Sequence, residues 1–167
     1  MNSFLIDNDT LKKRGFVNKN VEGSILTTTL ERVQDTMLVP VIGTQFFKRL
    51  VSGVKNSNLT ADETTLLNEY IAPFLIAAVD YRIGNHLTYE LRSKTAGKSG
   101  DSYITPLDRS EIVALNDDLR KDVERYKEQL IGHLKDNRTK FPDYDEYECN
   151  HENLRPETLK KFVPIVW

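Results

Sequence analysis

"LLNEYIAPFLIAAVDYRI", residues 66–83, decides the fold. Leu66, Leu67, Tyr70, Ile71, Phe74, Leu75, Ala78, Val79 and Ile83 recur at spacings of three and four, and Leu87 and Leu91 extend the series. That period is one face of an α-helix. Upstream, Thr60-Ala61-Asp62-Glu63 reads as a capping box that opens it. Pro73 lies inside the pattern. A proline there removes a backbone hydrogen bond and collides with the preceding turn, costing about 3 kcal/mol in an unadapted helix. A kink or break is therefore expected near Ala72. Ala77, Ala78 and Gly84 are small enough to admit a neighbouring helix on one side.

Toward the N-terminus the same period recurs. Leu26, Leu30, Val33, Met37 and Leu38 predict a helix from Ser24. Val39 precedes Pro40, so the helix is expected to end there, with a short turn from Pro40 closed by Gly43. Thr44 is the expected cap of a second helix whose apolar face is Phe46, Phe47, Leu50, Val51 and Val54. Residues 1–22 read as an N-terminal arm. Phe4-Leu5-Ile6 is a strand-like run, and Asp7 is placed to cap one helical turn that Gly15 ends.

Toward the C-terminus, residues 94–107, "KTAGKSGDSYITPL", are expected to form a long loop or hairpin. Asp108 is the predicted N-cap of a long helix, with Glu111 three residues on and Leu107 placed to staple against Ile112. Ile112, Leu115, Leu119, Val123, Tyr126, Leu130 and Leu134 keep a helical period to about Asn137. At 1.5 Å per residue that span is roughly 40 Å. Its other side is heavily charged. Residues 138–167 lose the period and read as an extended C-terminal arm. The prediction is a mainly α domain over 23–137. It is a small bundle of about four main helices, one kinked at Pro73, with arms at both ends.

Composition narrows the function classes. A chain of 167 residues with 39% hydrophobic and 29% charged residues is an ordinary globular domain. A net charge of -2 argues against a surface devoted to nucleic acid. One cysteine, Cys149, excludes an internal disulfide. No signal peptide or membrane span is legible, and a cytosol-like compartment is expected.

The motifs that suggest chemistry fail on spacing. Gly97-Lys98-Ser99 would need a glycine at position 92 to make a phosphate loop, and that residue is Arg92. Cys149-Asn150-His151 lacks the paired ligands of a zinc site, and His86 and His133 fall on separate helices. Asp62, Glu63, Asp117 and Asp118 suit helix starts and solvated faces better than acid–base work. No catalytic residue, cofactor or metal is predicted. Arg92, Lys94 and Lys98 make a small basic cluster at the long loop, read as facing a neighbouring subunit or DNA.

The tail carries a different signal. "FPDYDEYECNHEN" interleaves Tyr144 and Tyr147 with Asp143, Asp145, Glu146, Glu148 and Glu152. Pro156 is placed to start a short helix through Lys161, and Phe162, Val163, Pro164, Ile165, Val166 and Trp167 follow. Such a tail either wraps its own domain or docks on another chain. Spaced aromatic anchors in an extended segment favour the second. Tyr144, Tyr147 and residues 162–167 are therefore the predicted partner-docking residues.

The order of these parts resembles a phage family, the α-helical head–tail connector or head-completion proteins, as found in crAss-like and other Bacteroidetes phages. The resemblance lies in "FLIDNDTLKKR", in "LERVQDTMLVPVIGTQFFKRLV" with Gln34, Pro40, Gly43 and Phe46-Phe47, and in "LLNEYIAPFLIAAVDYRI" with Pro73. It continues through "RSKTAGKSG" and "LNDDLRKDVERYKEQLIGHL". It spans roughly residues 4–136 and does not reach the tail. It implies a structural protein of the virion, not an enzyme: a homo-oligomeric, dodecameric ring made in the host bacterial cytoplasm and placed at the portal vertex. There it would bind the portal protein and an adjacent ring or tail protein, extend the DNA channel with non-specific contact to packaged DNA, and touch no membrane. The rival expectation is a small helical DNA-binding or regulatory protein. Against it, Asp117, Asp118, Asp122, Glu124 and Glu128 are mixed with Arg120, Lys121, Arg125 and Lys127 on the last long helix.

Overall fold

The computed structural model describes residues 4–16, 21–95 and 109–144, and for residues 85–95 and 109–112 the backbone alone. The described residues are mainly helical, as the periods require, and contain no strand. The first helix, α1 (Asn8–Arg14), starts on Asp7, whose Oδ1 accepts the Thr10 N–H at 2.7 Å. Gly15 closes it, donating to the Leu11 carbonyl at 2.9 Å. A Cβ on Gly15 would lie 2.8 Å from that carbonyl and 3.0 Å from a carboxylate oxygen of Asp80, so the turn has no room for a side chain.

Pro40 and Pro73, each inside a helical stretch, are absorbed by the same device. Helix α2 (Gly23–Val33) passes through a π turn, Gln34–Leu38, into α3 (Val39–Ile42). Helix α5 (Ala61–Leu66) passes through a second π turn, Leu67–Ile71, into α6 (Ala72–Thr95). In each, the residue before the proline donates five residues back: Val39 to Gln34 and Ala72 to Leu67. The wider turn makes room where the proline ring would strike the preceding turn. Of the expected kink or break near Ala72, the structure shows no break but a π turn in a continuous helix, and the helix expected to end at Val39 continues in the same way. The extra residue also resets the apolar face, so that Leu66, Leu67 and Ile71 before the proline and Phe74, Leu75, Ala78 and Val79 after it are all buried.

Gly43, at φ 83°, turns the chain between α3 and α4 (Thr44–Asn56). It is the cap position, and Thr44 is the first helical residue, contrary to the expectation that Thr44 caps α4. A positive φ is open to glycine at little cost. The capping box at α5 forms as read. Thr60 N–H donates to Glu63 Oε2 at 2.7 Å, and Glu63 N–H to Thr60 Oγ1 at 3.1 Å. Arg49 of α4 adds a 2.9 Å ion pair to the same Glu63 oxygen.

Helix α7 (Arg109–Asp136) packs along α6. Gly84 permits the close approach: a Cβ there would sit 3.2 Å from Leu119 Cδ1. Val123, Leu130 and Leu134 join the core. Leu115, expected on the same buried face, is 55% exposed. Periodicity set its side of the helix correctly, but the body of the domain does not cover that turn.

Both ends of the described residues contribute to the core. Leu5 and Leu11 are buried, and Phe4 and Ile6 pack against the core without forming a strand. After α7, Asn137 Nδ2 donates to the His133 carbonyl at 3.0 Å, and a 3-10 turn, Arg138–Lys140, follows. Phe141 is then 1% exposed, its ring 5.6 Å from that of Phe46. Tyr144, expected to dock on a partner, is instead buried edge-on against Phe46 at 6.4 Å. Two aromatic rings bury more apolar area in place than an extended arm would. The start of the predicted C-terminal arm is therefore part of the domain's own packing.

Candidate interaction surface

Buried polar side chains show what the helical body holds. Gln34, in the first π turn, is 2% exposed, and its Oε1 accepts the Leu5 N–H at 3.0 Å. Asp80, on α6, is 7% exposed, and its Oδ2 accepts the Phe16 N–H at 3.0 Å. Asn8 Nδ2 adds a bond to Thr27 Oγ1 on α2 at 3.0 Å. A buried polar group costs stability unless it is hydrogen-bonded. Here the two ends of the segment 4–16 supply backbone donors to Gln34 and Asp80, and the segment is fixed by them.

That anchoring has a consequence at Phe16. Its backbone is tied to Asp80, yet its side chain is 86% exposed. It stands on the rim of a cleft of about 240 Å³ between α6 and α7. Pro73, Ile76, Ala77 and Asp80 line the cleft from α6, and Leu119, Asp122 and Tyr126 from α7, with Arg14 beside Phe16 on the rim. One turn further along α7 from Leu119 lies the exposed Leu115, whereas Val113, also exposed, points to the other side of the helix. The cleft and Leu115 make a track along one side of α7 that includes the exposed Asp122.

The remaining surface of α7 is charged and largely self-compensated. Lys121 Nζ lies 2.9 Å from Asp118 Oδ1, and Lys127 Nζ 3.9 Å from Glu124 Oε2. The hydrogen bond to Asp118 and that carboxylate's charge hold the Lys121 ammonium above its ordinary value. Exposed pairs of this kind contribute little to stability, because solvent screens them. They do spend the helix's cations on its own carboxylates, which makes a poor face for phosphates.

Of the predicted site residues, Arg92 and Lys94 fall on α6, which runs to Thr95, so the loop begins later than expected. Lys98, Tyr147, residues 162–167, Cys149, His151, the expected hairpin, Asp108 and the turn after Pro156 lie outside the described residues. Phe16 and Asp80 were not singled out from sequence. Asp80 carried a signal: it is the one charged residue in the apolar run from Ile71 to Tyr81. Among the described residues no group of His, Cys, Asp and Glu is arranged to hold a metal, and no helix is long and apolar enough to cross a membrane.

Residues 38–153 match the model of a family described as a family of unknown function, DUF6712. No curated protein and no solved structure matches the chain.

Proposed function

We propose that this chain, which belongs to the DUF6712 family, is a structural subunit of a phage portal-vertex ring, a head–tail connector that binds the portal or the next ring and extends the DNA channel. The observation that carries the reading is the order and spacing of its parts, from the N-terminal "FLIDNDTLKKR" through the two proline-bearing helices to the charged last helix. The surface is compatible with such work. Phe16 and Leu115 present exposed apolar side chains near the cleft between α6 and α7. Lateral faces of this kind suit repeated head-to-tail contacts, which close into a ring when the rotation between neighbours fits.

The work of the protein on this reading is assembly. The buried core and the anchored segment 4–16 give each subunit a fixed shape, and the exposed side chains of Phe16 and Leu115 mate between copies. Each contact is weak alone, but contacts repeated around a ring act as linked sites, and avidity raises the total affinity. Quantitative mass spectrometry of particles purified from the source of this sequence tests the proposal. The expected result is a fixed ratio of this chain to the portal protein. Its absence from particles overturns the reading.

A further inference from the structure

Two clefts meet at the segment 4–16. The cleft between α6 and α7 is lined by Arg14 and Phe16 of the segment and by Pro73, Ile76, Ala77 and Asp80 of α6. A larger, open one is lined by Leu5, Asn8 and Arg14 of the segment and by Leu67, Asn68 and Ala72. Arg14 belongs to both, and the adjacent residues Ala72 and Pro73 line one each. The segment therefore lies across a single depression, over the second π turn and the start of α6, and fills its middle.

Few contacts hold it there. Its buried side chains are Leu5 and Leu11. Gln34 and Asp80 accept the N–H groups at its two ends, each at 3.0 Å, and Asn8 bonds Thr27 between them. Helix α1 has seven residues, and a helix that short does not persist in water without tertiary support. If one end lets go, α1 loses that support and no longer positions the N–H at the other end. The two acceptors stay in place without the segment, because Val33 and Leu38 are buried around Gln34 and Val79 and Ile83 around Asp80. Asp80 also lines a cleft that opens at the surface, so water can replace the departing donor.

We infer that the segment 4–16 is a strap that opens and closes as one unit over a trough on α6. Closed, it is held at Leu5 by Gln34 and at Phe16 by Asp80. Open, it leaves both acceptors together, and the two clefts become one trough from Leu67 to Asp80. Access to that trough is governed by the strap and not by the helical body. Openings of this kind belong to the parts of a protein with the fewest buried contacts. The inference does not depend on the ring reading above.

Native-state hydrogen exchange of the full-length protein, followed amide by amide in low urea, tests the inference. The Leu5 and Phe16 amides should report one common opening. They should be less protected than the Val79 and Leu130 amides of the body, and their exchange should depend less on urea. Gln34→Met removes the anchor at one end only. It should speed exchange at Leu5 and at Phe16 by the same factor, roughly tenfold or more. Leu11→Ala alters the strap and leaves the body to fold, and should speed both amides by roughly thirtyfold or more. Ala72 is 2% exposed and lines the larger cleft, so a thiol placed there reads the trough. In the double variant Ala72→Cys, Cys149→Ser, alkylation by iodoacetamide should quicken by the same factor when Leu11→Ala is added. A Phe16 amide unmoved by Gln34→Met would mean that the two ends fray separately, and would overturn the inference. So would equal protection and equal urea dependence at Leu5, Phe16, Val79 and Leu130, because the segment would then leave only on global unfolding. Alkylation unmoved by Leu11→Ala would overturn the claim that the strap covers the trough.

Discussion

Replacing Phe141 by Ala tests whether the chain beyond α7 belongs to the folded domain. Phe141 is 1% exposed and meets Phe46 at 5.6 Å and His133 at 6.1 Å, and Phe46 in turn holds Tyr144. Truncating a buried Phe to Ala costs about 3–5 kcal/mol, part of it from the cavity left behind. The upper half of that range applies if the surrounding rings cannot close in. Phe46 sits in α4 and His133 in α7, both fixed by other core contacts, so little collapse is expected. For a domain of this size, 1 kcal/mol moves Tm by about 2–4 °C, so the variant should melt roughly 6–20 °C lower. The assay is thermal and urea unfolding followed by circular dichroism. An unchanged m-value would show that stability fell without a change in the surface exposed on unfolding. A loss below about 1 kcal/mol, well under the range for a buried Phe, would refute the placement of residues 138–144 in the core.

Three further outcomes follow from the same structure. Gln34→Met keeps the side chain's length but leaves the Leu5 N–H without its acceptor, so stability should fall by about 1–3 kcal/mol. Hydrogen exchange at the Leu5 amide should accelerate, and unchanged protection would mean that the bond is not formed. The Asp7 carboxyl is held below its ordinary value chiefly by hydrogen bonds from Thr10, first its side chain and then its N–H. A depressed folded value means that the contribution is complete above the ordinary carboxylate value of about 3.9 and is lost as pH falls through the folded one. The protection of the Thr10 amide, its exchange relative to the intrinsic rate at the same pH, should therefore fall in acid, and Asp7→Ala should remove that fall. Pro73→Ala should leave α5 and α6 joined by the π turn, because Leu66, Leu67 and Ile71 are buried in that register. Amide shifts over 61–71 should stay in place, and a wholesale change would mean that the proline alone sets the turn.

The main helices were legible because their buried faces recur at three and four residues, and Thr60-Glu63 and Asp7 announced their caps by residue type. The π turns were not. A single added residue leaves the local apolar spacing readable as α, and only the prolines at 40 and 73 hinted that the backbone needed relief. Phe141 and Tyr144 were missed for the opposite reason. "KFPDYD" has no period, so its burial depends on where the end of α7 points it, a tertiary fact. Leu115 shows the limit of periodicity itself, which names a helix face but not what covers it. At the candidate surface, Asp80 was visible as a lone carboxylate in an apolar run. Its role in holding Phe16 spans 64 positions of sequence and needed the fold.

The most direct test of the ring assignment is a cryo-EM map of the portal vertex of particles from the source of this sequence. The account predicts a closed ring, stacked on the portal or on the next ring, into whose repeating density the α6–α7 pair fits, with the track from Tyr126 to Leu115 turned toward a neighbouring copy. A portal vertex whose rings are all accounted for by other chains would contradict it.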